Sequence, residues 1–108
     1  MVNKKPWELV SDVLTLVSAN ARLGVTTQTL NNIAEKRILE LGGIPYNKGY
    51  LPAWSKIPFP ATLCTSINEE IAHGIPSDRK LVDGDIISFD VGVKKDNLCG
   101  DAALTVGV

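Results

Sequence analysis

Two aspartates, Asp90 and Asp101, stand inside apolar, β-branched stretches, and Lys94-Lys95-Asp96-Asn97 lies between those stretches as turn chemistry. The run from Asp85 to Val106 therefore reads as an antiparallel hairpin. A loop centred between Lys95 and Asp96 sets Asp90 directly opposite Asp101 on one face of the sheet, with Cβ atoms roughly 4.5–5.5 Å apart. Two carboxylates at that range repel, and each is costly to desolvate, so the arrangement needs a shared proton, a basic partner or a cation. A dinuclear metal site is the sharpest of these. The plain alternative is that the face lies open to solvent, or that a bulge sends the two side chains to opposite faces. The sole histidine, His73, precedes Gly74-Ile75-Pro76, which gives it a rigid, open bend. A histidine so placed serves either as a hydrogen-bonded structural residue or as a catalytic one.

The elements that must position these residues follow from periodicity. From Pro6 to Leu23, Val10, Val13, Leu14, Val17 and Ala21 recur at helical spacing, with Pro6 in the first turn and Gly24 placed to end the helix. A second helix runs from about Thr27 to Leu41 on the stripe Leu30, Ile33, Ala34, Ile38 and Leu41. Thr26 or Thr27 caps its start, and Gly42-Gly43 supplies the left-handed conformation at its end. Both stripes predict scaffold facing a core. Residues 44–60 carry Pro45, Gly49, Pro52, Pro58 and Pro60 among Tyr46, Tyr50, Trp54 and Phe59. This predicts a long irregular segment whose rings either wall an apolar pocket or cover the sheet. Ala61 to Ile67 alternates as a strand, Asn68-Glu69-Glu70 turns it, and Ile71-Ala72-His73-Gly74 begins a return arm, so a first hairpin carries His73. Asp83-Gly84-Asp85 is the turn entering the second. The fold class is α+β, two helices packed on antiparallel β-hairpins, within one domain spanning 1–108.

The 108 residues include 44% hydrophobic residues, which fits a folded chain with a modest core. Eleven basic residues against twelve acidic, with no basic block, point to no nucleic-acid face and no anionic membrane surface. Cys64 and Cys99 lack C-x-x-C spacing, which argues against a thiolate zinc site; two reduced, packed thiols are expected. Nothing at the N-terminus resembles a secretory signal, since the apolar run after Lys4-Lys5 is broken by Glu8 and Asp12. No stretch approaches the roughly 18 apolar residues of a membrane span. A cytoplasmic location is expected.

Three separated stretches, taken in order, resemble a known family: Phe59 to Pro76 (FPATLCTSINEEIAHGIP), Asp83 to Val93 (DGDIISFDVGV) and Gly100-Asp101. They are similar to the bacterial-type methionine aminopeptidases, metallopeptidases of pita-bread fold, and the two helices with Gly24-Val25-Thr26 resemble that family's N-terminal region. Proline-specific relatives share the aspartate hairpin but match the segment from Cys64 to His73 less well. The stretch Tyr46 to Ile57 departs from the pattern, with Leu51-Pro52-Ala53-Trp54 where a shorter glycine-rich link is usual.

The resemblance implies metal-dependent hydrolytic removal of the initiator methionine from nascent chains, and with it an association with the ribosome. It implies two divalent ions, cobalt, manganese, iron or zinc, with Asp90 and Asp101 as the first two metal-binding carboxylates. His73 becomes the catalytic histidine that contacts substrate, and Phe59 and Cys64 become residues of the pocket for the methionine side chain, where a ring and a soft sulfur suit a thioether. The family's remaining ligands, one histidine and two glutamates, together with a second substrate histidine, belong to a C-terminal half. The chain stops at Val108 in an apparent strand, so the expectation is the N-terminal part of a longer enzyme, inactive by itself. Other expectations are a non-catalytic half-domain that holds a peptide or partner, and pairing with a copy of itself or with a C-terminal half to cover exposed sheet.

Overall fold

A computed structural model describes residues 4–46, 61–68 and 74–108. Helix α1 spans Pro6–Asn20 and helix α2 spans Thr27–Glu40; strands β1 (Ile44–Pro45), β2 (Leu63–Ile67), β3 (Ile86–Lys95) and β4 (Leu98–Gly107) form one antiparallel sheet. Pro6 opens α1, where its missing N–H is no loss, and the Lys5 N–H is taken up by Glu8 Oε1 at 3.0 Å. The helix ends at Asn20, three residues before the predicted Leu23, and the left-handed residue Gly24 (φ 88°) turns the chain. Thr26 caps α2 by accepting from the Thr29 N–H at 3.1 Å. At the other end Gly42 (φ 81°) makes the left-handed turn, while Gly43 lacks a side chain for a different reason: a Cβ there would meet Val93 Cγ1 at 2.7 Å.

β3 is the axis of the sheet. β4 pairs with it along its whole length, and its other edge is shared by β2, against residues 87–91, and β1, against residues 93–94. The start of the segment expected to be irregular is therefore strand: Ile44 and Pro45 pair with Lys94 and Val93, and the Tyr46 N–H donates to the Gly92 carbonyl at 2.8 Å. A proline is acceptable in so short an edge piece, and two residues are too few to show a period in the sequence. The rest of that segment, residues 47–60, lies outside the described residues, as do Glu69, Glu70 and His73 of the first predicted hairpin. Of its return arm, Gly74 is placed beside Thr65, whose N–H donates to the Gly74 carbonyl at 2.8 Å.

One sheet face is the core. Leu63, Ile67, Ile87, Phe89, Val91 and Val93 bury against Leu9, Val13 and Val17 of α1 and Leu30, Ala34 and Ile38 of α2. α1 lies over β3 and β4, and α2 over β1 and β2. Burying a side chain of this kind is worth roughly 1.5–3 kcal/mol, so this layer dominates the stability of the chain. Polar ties set its geometry. Asn31, buried on α2, accepts from the Thr62 and Leu63 N–H groups at 2.9 and 3.0 Å and so fixes where β2 begins. Asp12 of α1 receives a forked pair from Arg37 of α2, Nε at 2.8 Å and Nη2 at 3.2 Å. Asp85 accepts from Val82 N–H and Asn68 Nδ2, and Asn68 Oδ1 accepts from Ile86 N–H, joining the end of β2 to the start of β3.

Candidate metal and peptide site

Residues paired across a ladder share a face, and alternation along each strand places the rest. The face turned away from the helices carries Cys64 and Ser66 of β2, Ser88, Asp90 and Gly92 of β3, and Cys99, Asp101, Ala103 and Thr105 of β4. Asp90 and Asp101 are both on it and both exposed. They do not face each other. Asp90 pairs with Ala103 and Asp101 with Gly92, because the strands continue to Lys95 and Leu98 and the connection is a two-residue turn. Asp96 and Asn97 both adopt positive φ, 53° and 66°, as a type I′ turn requires. The expected four-residue loop would have shifted the register by two residues. The asparagine at position 97, tolerant of the left-handed conformation, was the signal in the sequence for the tighter turn.

The diagonal offset changes the electrostatics. Diagonal neighbours on one face are roughly 7–8 Å apart, with Cβ atoms somewhat closer, so the carboxylates are not forced into contact. Gly92, opposite Asp101 and next along the face from Asp90, puts no side chain between them. Two exposed hard oxygen donors on one face, with no side chain between them, suit a divalent cation; among the described residues there is no cluster of three or more His, Cys, Asp or Glu side chains that would hold one. The pair thus fits as part of a ligand set.

Cys64 sits directly across from Asp90, buried with Ala61 in a small apolar cluster apart from the main core. Burial first, and the neighbouring Asp90 carboxylate second, push its thiol up to about 12, so it is a neutral, soft apolar group at ordinary pH. Ser88 Oγ and Thr105 Oγ1 hydrogen-bond across the ladder at 2.8 Å on the same face, a hydroxyl pair the sequence reading did not single out. Cys99, expected to be packed, is exposed opposite Lys94, and neither cysteine is in a disulfide. Phe59 and His73 lie outside the described residues; the backbone joins this face just after His73, where Gly74 N–H donates to Ser66 Oγ at 3.4 Å. A groove of about 950 Å³ between α1 and α2, bordered by Trp7, Asp12, Leu16 and Arg37, belongs to the helix layer and shares no residue with the carboxylate face.

The model of the metallopeptidase family M24 matches residues 4–108. The chain belongs to that family. Among M24 relatives it is 40% identical, over 95% of its length, to the methionine aminopeptidase of Aquifex aeolicus, and 42% identical, over 97%, to that of Clostridium acetobutylicum. It spans about 40% of the length of each. Its fold matches the crystal structure of methionine aminopeptidase from Rickettsia prowazekii with a TM-score of 0.82 at 34% identity, covering 90% of this chain and 37% of that one. With the enzyme from Thermotoga maritima the TM-score is 0.85 at 28% identity, covering 100% and 45%. The expected architecture, two helices on an antiparallel sheet as in the N-terminal portion of the pita-bread fold, is the one observed. Among the described residues no helix is long and apolar enough to cross a membrane.

Proposed function

We propose that these 108 residues supply the N-terminal part of the catalytic domain of a methionine aminopeptidase acting on the initiator methionine of nascent chains, in the cytoplasm and close to the ribosome. The observation that carries this reading is the placement of Asp90 and Asp101 as same-face diagonal neighbours, in a chain similar over nearly all its length to methionine aminopeptidases. In this reading Asp90 and Asp101 are metal ligands for a pair of divalent ions, which when bound would supply Lewis-acid activation of water and of the first peptide carbonyl. Cobalt, manganese, iron and zinc all suit carboxylate oxygens. The chain's own residues bind and orient the substrate. Cys64, neutral beside Asp90, and Phe59 border the methionine side chain. His73 donates a hydrogen bond to the reacting amide as charge develops on it.

Two carboxylates alone hold a divalent ion weakly. Titrating manganese or cobalt calorimetrically into the folded 108-residue polypeptide is expected to give weak binding that Asp90→Asn abolishes. A folded chain that takes up no metal would mean that further ligands, beyond Asp90 and Asp101, are needed to build the site. Methionine release from a short Met-initiated peptide by the metal-loaded polypeptide is expected to be negligible; measurable turnover would show that the ligand set on this chain suffices.

Pairing belongs to the same proposal. The outer edge of β4 has no strand partner among the described residues, and Leu104 there is 39% exposed. A second copy or a C-terminal half would cover it.

A further inference from the structure

The hairpin that presents the carboxylates is fastened to the helices on its opposite face, at two points. Gly100 immediately precedes Asp101 and pairs with Val93, a core residue, so it faces the helices. It is pressed against the first turn of α1. A Cβ at this position would lie 2.8 Å from the carbonyl carbon of Pro6 and 3.0 Å from both the Pro6 oxygen and the Trp7 nitrogen. These are backbone atoms, which cannot swing aside as the end of a side chain does. The second point is Lys95, where β3 ends. Its Nζ donates to the Lys4 carbonyl at 3.1 Å and to the Leu41 carbonyl at 3.3 Å, which ties the tip of the hairpin to the residue before Lys5, the N-cap of α1, and to the C-cap of α2. An ammonium at a helix C-terminus is also favoured by the helix dipole.

We propose that Gly100 and Lys95 are positioning residues for Asp101: the glycine contact and the ammonium clasp hold β4 against α1 so that the carboxylate on the far face keeps its place relative to Asp90. The proposal rests on the reading of Asp90 and Asp101 as metal ligands. A Cβ at residue 100 falls about 0.6 Å short of ordinary van der Waals separation from Pro6, and site constellations tolerate displacements of only about 0.5 Å. Because Asp101 is the next residue, whatever moves Gly100 away from α1 moves Asp101 with it. Partners that hold a ligand without touching the metal typically change affinity by about 10- to 100-fold.

The test is the manganese affinity of the folded chain, read by calorimetry and by the Mn²⁺ electron paramagnetic resonance signal, with circular dichroism to establish folding. Gly100→Ala is expected to weaken binding about tenfold or more, Lys95→Met less than that but measurably, and Lys95→Arg, which keeps the donors, hardly at all. Val17→Ala, which opens a gap in the core near the other end of α1, controls for stability and is expected to leave affinity unchanged. A folded Gly100→Ala with wild-type affinity overturns the proposal. If Gly100→Ala does not fold, Lys95→Met decides, and wild-type affinity in that variant overturns it. Equal weakening by Val17→Ala reduces both residues to general stability and also overturns it. Wild-type chain that binds no manganese refutes metal binding by Asp90 and Asp101 without further ligands, on which the proposal rests, a result distinct from all of these.

Discussion

Cys64 and Cys99 have the same side chain in opposite situations. Cys64 is 5% exposed and pushed up to about 12, whereas Cys99 is exposed on the β4 edge. Thiolate, not thiol, is the nucleophile, so iodoacetamide at mildly alkaline pH is expected to add once to the native chain, at Cys99, and twice after denaturation. Peptide mapping by mass spectrometry checks this; native modification of Cys64 would contradict its burial. Asn31 shows how one polar residue sets a strand. Its Oδ1 accepts two backbone N–H groups at the head of β2, and losing both leaves two buried donors unsatisfied at about 1–3 kcal/mol each. Asn31→Ala is therefore expected to destabilise by about 2–4 kcal/mol, measured by urea unfolding. Nothing in the sequence marked Asn31 out, because its partners are about thirty residues away and helical periodicity is blind to them.

Among the elements, the helices and the hairpins differ in how far local chemistry determines them. Thr26, Gly24 and Gly42 punctuate the helices as their types demand, and the predicted limits were off by at most a few residues. The second hairpin was legible as a hairpin but not in its register. Whether Leu98 pairs with Val93, across a loop centred between Lys95 and Asp96, or with Lys95, across a turn centred on Asp96-Asn97, depends on turn strain, and the left-handed tolerance of Asp96-Asn97 tips it toward Lys95. This makes a prediction at the turn. Asn97→Gly, which favours a positive φ, is expected to keep or slightly raise the thermal midpoint. Asn97→Val, β-branched in that region, is expected to lose about 1–2 kcal/mol. Equal stability of the two variants would argue that the tight turn does not form in solution.

The described residues form a layer of two helices on one face of an antiparallel sheet, with Asp90 and Asp101 on the other face. Two carboxylates have pKa values depressed by folding, Asp12 between the helices and Asp85 between β2 and β3. The Arg37 guanidinium, hydrogen-bonded to Asp12, lowers that carboxyl, with Lys4 assisting at 3.8 Å. At Asp85 the Val82 N–H and the Asn68 amide do the same. A group whose folded pKa is depressed contributes stability above its unfolded value and loses it as pH falls through the folded value. The thermal midpoint is thus expected to drop as pH falls below the ordinary carboxylate value of 3.8. The drop should be shallower in Asp85→Ala than in the wild-type chain; parallel curves would mean that Asp85 is not titrating under strain.

By itself the sequence determined the fold class, both helices, the existence of the aspartate hairpin and the membership of Asp90 and Asp101 in it, because periodicity, caps and turn residues are local and each acts within a few positions. Tertiary structure alone decided the rest. It set the diagonal offset of the carboxylates, the recruitment of Ile44–Pro45 to the β3 edge, the burial of Cys64 against Asp90 and the close seat of Gly100 on Pro6. Each of these depends on which segments meet across long sequence separations, and the energy that selects among such meetings is burial of the shared apolar layer, which no single stretch of the chain contains.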